Sequence, residues 1–175
     1  MKDIDFPAAL VNDRQQLATF ATGCFWSAQL RFECISGVLS TQVGFMNGRT
    51  QEPTFEDVVS DTTGHALVVQ VLFDATAITY EDLLEYFWAI ETAFDDSVDL
   101  GSPYRAGIYY HTQAQAEAAV ASKKKHQTLQ LHPSRDIVTE IVPASTFFPA
   151  EDYHQRYLEK GGLCNHEGDT VPCCG

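Results

Sequence analysis

The chain is short of positive charge: 11 lysines and arginines face 24 aspartates and glutamates, a formal net charge of −13 over 175 residues. Such a surface disfavours nucleic acid and anionic membranes as partners, because both require a basic face. No apolar run approaches the roughly 20 residues that a membrane span needs. The opening Met1-Lys2-Asp3-Ile4-Asp5-Phe6 has no basic segment followed by an apolar run. No secretory leader is read there, and a cytosolic protein is expected. No internal repeat or linker divides the chain, and Thr63-Gly64 lacks the Gly-rich lysine motif of a phosphate loop. One domain over residues 1–175 follows, long enough for an adequate core. Five cysteines in a cytosolic chain read as redox-active or inert rather than as a disulfide framework.

The most informative stretch is Gly23-Cys24-Phe25-Trp26. Leu17 to Ala21 is apolar and strand-like, and a helix-like run follows the tetrapeptide, so Cys24 falls on a strand-to-helix turn. A thiol there feels the positive end of the helix dipole, which favours thiolate. Phe25 and Trp26 wall it with apolar surface, fit for a small group such as a methyl. The tetrapeptide alone is equally compatible with a buried, inert core cysteine.

Around it, Met1 to Gln16 reads as an arm. Phe25, Ala28, Phe32 and Ile35 form the buried face of a helix running to about Ile35. Val38 to Phe45 reads as a strand, Asn47-Gly48 as a turn, and Phe55 to Val59 as a short helix. His65 to Phe73 is apolar on both faces, so it belongs at the centre of a covered sheet. Thr79 caps a helix from Tyr80 to Ile90. Tyr104–Tyr110 and Ile137–Val142 read as strands, Thr112 to Lys125 as a capped helix, and Ala150 to Lys160 as a short helix. Residues 161–175 form a cysteine-bearing tail. On these patterns the chain is one α/β-type domain.

Five segments carry a resemblance. They are Gly23-Cys24-Phe25-Trp26, Pro53-Thr54-Phe55, Thr63-Gly64-His65-Ala66, Ser102-Pro103-Tyr104-Arg105-Ala106-Gly107-Ile108-Tyr109 and Ala150-Glu151-Asp152-Tyr153-His154-Gln155. In this order and spacing the chain resembles the type A peptide-methionine sulfoxide reductases, which reduce the S epimer of methionine sulfoxide. The resemblance implies an α+β two-layer sandwich with a ferredoxin-like core and a mobile, cysteine-bearing C-terminal tail. It gives Cys24 the role of nucleophile, attacking the sulfoxide sulfur and ending as a sulfenic acid. It makes Phe25 and Trp26 the methyl pocket, Tyr104 a donor to the sulfoxide oxygen, and Asp99 an acid that holds the substrate backbone. Cys164 resolves the sulfenic acid, and Cys173 or Cys174 carries the disulfide to thioredoxin or a small dithiol. No metal or organic cofactor is implied, and a monomer is expected.

The departures bear on mechanism. Leu67 stands where the family usually has the glutamate proton donor, and Phe55 where it usually has a tyrosine. Ser27 replaces a glycine, and Glu91-Thr92-Ala93 replaces His-Asp-Pro. Each lost oxygen-facing donor costs about 10²–10³ in rate. Three readings are compatible: a slower reductase protonating through Tyr104, water, Asp99 or Glu91; a reductase retuned to another oxidised sulfur substrate; or a weak binding module for methionine-containing peptides. A zinc site from Cys164, His166, Cys173 and Cys174 matches no standard ligand spacing. Cys34 is expected to be a core cysteine, His65 to be satisfied within the sheet, and Lys123-Lys124-Lys125 to be a solvated helix end. For Asp152 and His154 a structural hydrogen bond and a substrate contact are both open.

Overall fold

A computed structural model describes residues 14–90, 98–129 and 137–159. The elements run β1 (Gln15–Thr22), α1 (Phe25–Glu33), β2 (Val38–Met46), α2 (Phe55–Val59), β3 (Ala66–Asp74), α3 (Tyr80–Trp88), β4 (Ala106–Tyr110), α4 (Gln113–Leu129), β5 (Glu140–Pro143) and β6 (Phe148–Pro149). The fold is mixed α+β. Among the described residues six strands form one sheet in the order β5-β4-β1-β3-β2-β6. Every pairing is antiparallel except β4 with β5, which α4 connects as a parallel crossover. Among the described residues no helix is long and apolar enough to cross a membrane.

Alternation along the strands divides the interior. Phe20, Val43, Phe45, Leu67, Val69 and Ile108 face the main core, joined there by Phe25 and Phe32 of α1 and Leu83, Leu84 and Phe87 of α3. Ala21, Met46, Ala66, Val68 and Tyr109 form a smaller cluster under Val142, Ala144 and Phe147. The central position expected for the 65–73 stretch is observed, since β3 lies between β1 and β2. The helices start where their caps dictate. Thr79 Oγ1 accepts from the Asp82 N–H at 3.0 Å and Asp82 Oδ2 from the Thr79 N–H at 3.3 Å, a reciprocal capping box. Thr54 and Asp57 repeat the arrangement at α2.

Several expectations need correction. Gln15 and Gln16, assigned to an arm, pair with Asp74 and Phe73 as the start of β1, because main-chain pairing is indifferent to their polar side chains. The strand expected from Ile137 begins only at Glu140, and α4 continues to Leu129. The helix expected over 150–160 is a single 3-10 turn, Asp152–His154. Gln155 stops it. Its Oε1 accepts from the Val43 N–H at 3.0 Å, and its Nε2 donates to the Val43 carbonyl at 2.8 Å and the Ala150 carbonyl at 3.1 Å. Arg156 follows at φ 53°, a left-handed conformation that no α-helix contains. Lys123, assigned to a solvated end, donates to the Thr139 carbonyl at 2.9 Å and so ties α4 to the lead-in of β5. Cys34 is half-buried at the C-cap of α1 and is disulfide-bonded rather than an inert core thiol.

The edge strand β6 lies against β2 through Gly44, and a Cβ at Gly44 would strike the Phe148 carbonyl oxygen and the Phe147 ring. Gly44→Ala is expected to destabilise the fold by about 1–3 kcal/mol, the usual cost of overpacking. Urea denaturation of wild type and variant measures the difference, and equal midpoints would refute it.

Candidate active site

Strand register brings the site together. Thr22 at the end of β1 pairs with Ala106 at the start of β4, and Phe20 pairs with Val69 near the start of β3. The end of β1 therefore meets the beginnings of β3 and β4. Cys24 follows β1, Leu67 opens β3 and Tyr104 precedes β4, so the three arrive at one end of the sheet. The Leu67 N–H donates to the Pro103 carbonyl at 2.9 Å and fixes the Tyr104 turn against β3.

Gly23, at φ 84°, makes the turn that a side chain would strain. Cys24 then occupies the N-cap of α1 in extended conformation. It is half-buried and carries a thiol rather than a disulfide. Ser27 Oγ donates to the Cys24 carbonyl at 3.1 Å, an additional tie at the start of the helix.

The expected aromatic wall is present and larger than expected. The Phe25 and Trp26 rings lie 6.4 Å apart, and Phe55 stacks 5.8 Å from Phe25 and 6.3 Å from Trp26. His154 closes it at 4.2 Å from Phe55, and Tyr157 stacks on Trp26 at 4.0 Å. Tyr157 was not singled out from the sequence. Its signal was position alone, two residues beyond the 150–155 segment. Leu67 is 1 % exposed and continuous with this apolar cluster. Leu67 and Phe55, at the positions where the resemblance implies donors, are apolar side chains packed with the main core.

The polar groups nearby have defined roles. Tyr104 is 42 % exposed. Partial burial first, and the charge on the Cys24 sulfur second, raise its phenol above the ordinary value. The hydroxyl thus keeps its proton and remains a donor. Arg105 holds the same turn. Its Nε donates to Glu140 Oε1 at 2.8 Å, its Nη1 to the Ser102 carbonyl at 3.0 Å and its Nη2 to the Gly64 carbonyl at 3.0 Å. Glu140 Oε1 also accepts from the buried Tyr109 hydroxyl at 2.6 Å. Asp99 is exposed at the start of the turn, and its main-chain carbonyl accepts from the Ser102 N–H at 2.9 Å.

The question left open for His154 has an answer in hydrogen bonding. Trp26 Nε1–H donates to its Nδ1 at 3.0 Å, so in the neutral ring Nε2 carries the proton. Glu151 Oε1 accepts from the Phe55 N–H at 2.9 Å, which ties the 150–157 segment to α2. His154 Nε2 and Glu151 Oε2 are buried, lack hydrogen-bond partners among the described residues, and stand 3.7 Å apart. Asp152 is exposed. His65 is satisfied as expected: the Gly48 N–H donates to Nδ1 at 3.0 Å and Nε2 donates to the Thr50 carbonyl at 2.7 Å. Among the described residues no group of three or more His, Cys, Asp or Glu is placed to hold a metal ion. Glu91, Cys164, His166, Cys173 and Cys174 lie outside the described residues.

Burial, opposed by the Glu151 charge, lowers the His154 pKa. With the folded pKa below the unfolded value of about 6.5, the unfolded chain binds more protons between the two. Stability from this site is complete above about pH 6.5 and is lost as pH falls through the folded pKa. His154→Gln should therefore flatten the acid side of a Tm-against-pH curve between pH 7 and 5. Parallel curves for the two proteins would contradict this.

Comparison with known proteins agrees with the geometry. A family model described as peptide methionine sulfoxide reductase matches residues 16–168. Peptide methionine sulfoxide reductase A2-1 of Oryza sativa subsp. japonica is 45 % identical over 178 residues, covering 95 % of this chain and 90 % of the relative. Peptide methionine sulfoxide reductase MsrA of Geobacter sulfurreducens is 48 % identical, covering 87 % and 97 % respectively. Among solved structures, methionine sulfoxide reductase A of Corynebacterium diphtheriae superposes with a TM-score of 0.74 at 30 % identity, covering 93 % of this chain and 83 % of that one. Reduced Mxr1 of Saccharomyces cerevisiae gives 0.74 at 27 % identity, covering 91 % of each chain. A thiol at a helix start, an aromatic wall beside it and a matching family model over most of its length together place this chain in the peptide methionine sulfoxide reductase family.

Proposed function

We propose that the chain reduces methionine-S-sulfoxide, free or in proteins, to methionine, with Cys24 as nucleophile. The observation that carries this reading is the Cys24 thiol at the N-cap of α1, followed by the rings of the aromatic wall and near enough to Tyr104 for its charge to raise the phenol. The thiolate attacks the sulfoxide sulfur and the oxygen takes a proton; the hydroxyl then passes to the Cys24 sulfur as the substrate S–O bond and the transient S–S bond break, so that Cys24 becomes a sulfenic acid, oxidised by two electrons, and methionine leaves as the reduced thioether. Phe25, Trp26 and Phe55 offer apolar surface to the methyl group, with Leu67 behind them. Tyr104 is the donor in reach of the oxygen, and water reaches it because it is partly exposed. Asp99 is assigned to the substrate main chain. Cys164 then forms a disulfide with Cys24 and releases water, and Cys173 or Cys174 passes the disulfide to thioredoxin or a small dithiol. The protein works as a monomer in the cytosol, needs no metal or organic cofactor and takes oxidised proteins as partners. We further infer a ferredoxin-like core, which the order β1-α1-β2-β3-α3-β4 and the β4-β1-β3-β2 arrangement of those strands support.

The decisive assay is methionine formation from a methionine-S-sulfoxide peptide with dithiothreitol. Turnover that disappears in Cys24→Ser supports the reductase, whereas peptide binding without turnover supports a binding module. Tyr104→Phe should lower kcat by about 10²–10³, the cost of one transition-state donor. Unchanged kcat would remove Tyr104 from the mechanism. Leu67→Glu should raise kcat, because a carboxyl group in this desolvated pocket is held protonated and can act as acid. An unchanged or lower rate in a folded variant would mean that the missing carboxylate does not limit this enzyme.

A further inference from the structure

The buried end of the aromatic wall carries two polar atoms without partners. His154 is 1 % exposed and enclosed by rings, with Phe55 at 4.2 Å, Phe25 at 5.6 Å, Trp26 at 5.7 Å and Tyr153 at 4.0 Å. Its Nδ1 accepts from the Trp26 indole N–H at 3.0 Å, whereas its Nε2 has no partner. Oε2 of Glu151 is likewise buried and unpartnered, and the two atoms stand 3.7 Å apart. That is too long for a hydrogen bond, which closes at about 2.7–2.9 Å when both groups are charged. The backbone that carries both groups is held, through Glu151 Oε1 to the Phe55 N–H and through Gln155 to Val43. Trp26 is half-buried and has more room to move than the enclosed His154.

The two charge states of this ring make opposite demands. The neutral ring, with its proton on Nε2, accepts from Trp26 and leaves Glu151 unpaired. An imidazolium donates from both nitrogens. Its Nδ1–H would meet the Trp26 N–H, donor against donor, while its Nε2–H would gain an anion in Glu151. Protonation therefore breaks the bond that orients the indole and makes the bond that does not touch it.

We propose that His154 is a positioning residue for Trp26: the neutral ring locks the indole in the apolar wall, and protonation transfers the ring's hydrogen bonding to Glu151 and releases the indole. The proposal deepens the reductase reading and rests on it, since it takes Trp26 as part of the methyl pocket. Burial holds the His154 pKa below the usual histidine value against the pull of Glu151, so the lock is closed at neutral pH and opens on acidification. Among the described residues few other ionisable groups surround the ring. From α2 come Glu56, whose charge reaches Tyr153, and Asp57, whose Oδ2 accepts from the Thr54 N–H. Cys24 precedes α1, and its charge acts on Tyr104. On the same segment as His154, the Tyr153 phenol is raised by partial burial and by Glu151 and Glu56, and Arg156 is turned to Glu33 at 2.6 Å.

The chain has two tryptophans, so the proton spectrum of the full protein has two indole N–H resonances, and the one missing in Trp26→Phe belongs to Trp26. Between about pH 8 and pH 5 this resonance should move with the midpoint of the His154 imidazole. In His154→Asn, whose Oδ1 accepts where Nδ1 does and cannot take a proton, it should stay at its high-pH position. In Glu151→Gln the midpoint should fall to lower pH, because the imidazolium loses its anion. A Trp26 resonance that ignores the His154 titration overturns the proposal, as does an unmoved midpoint in Glu151→Gln. In turnover, KM for a methionine-S-sulfoxide peptide should rise about fivefold on acidification through that midpoint, the worth of one ordinary hydrogen bond, and stay level in His154→Asn. An equal rise of KM in both proteins, or a loss that falls on kcat alone, also overturns it. If the wild-type chain forms no methionine, the reductase reading fails separately, and the Kd of the same peptide replaces KM. Affinity that falls on acidification in wild type but not in His154→Asn upholds the lock, and equal behaviour of the two overturns it.

Discussion

The site depends on how β1 is paired. With β3 on one side and β4 on the other, the register that puts Thr22 opposite Ala106 and Phe20 opposite Val69 leaves no freedom in where Cys24, Leu67 and Tyr104 meet. A slip of one residue in either pairing would turn the inward set outward and move Leu67 or Tyr104 to the wrong face. Main-chain hydrogen bonds thus perform the positioning that a flexible loop could not. The Leu67 N–H to Pro103 bond extends the ladder by one step into the turn that carries Tyr104.

Two polar fasteners complete what the sheet begins. Arg105 joins the turn before β4, the Gly64 carbonyl before β3 and the Glu140 side chain on β5, so three neighbouring entries share one guanidinium. Its planar fork suits this, and a lysine would supply charge without the geometry. Gln155 does the corresponding work at the opposite edge, where its amide completes the hydrogen bonding of Val43 and places His154 and Tyr157 against Trp26. Arg105 is buried and Gln155 half-buried, and both have their hydrogen bonds made, the condition under which such groups add definition rather than cost.

How much of this was legible follows from which signals are local. The cap at Thr79, the short helix after Thr54, the turn at Gly23-Cys24 and the two-faced apolar run of β3 are encoded within a few residues, and the structure bears them out. The 150–160 segment misled because its side chains are compatible with a helix, while the deciding contact is between Gln155 and Val43, 112 residues apart. Strand β6 is two residues long and has no periodicity to read. Cys34 looked like a core residue because spacing along a helix says nothing about a partner distant in sequence. The aromatic pair at Cys24 was visible, but its extension to His154 and Tyr157 required the docking of that same misread segment.

The replacement of polar groups by Leu67 and Phe55 has a physical logic of its own. Both sit in contact with the main core, and full burial of a side chain as large as leucine stabilises the folded state by about 1.5–3 kcal/mol. A carboxylate in the same place must be desolvated, and a protein retains such a group only where function compensates for the loss. With that side of the site apolar, Tyr104 is a hydroxyl whose phenol feels the Cys24 charge, and its partial exposure connects it to solvent. Among the described residues the site therefore joins an apolar wall to a partly exposed hydroxyl. On the proposed reading, the substrate presents its oxygen toward Tyr104 and its carbon toward the rings, an orientation that places the sulfur beside Cys24.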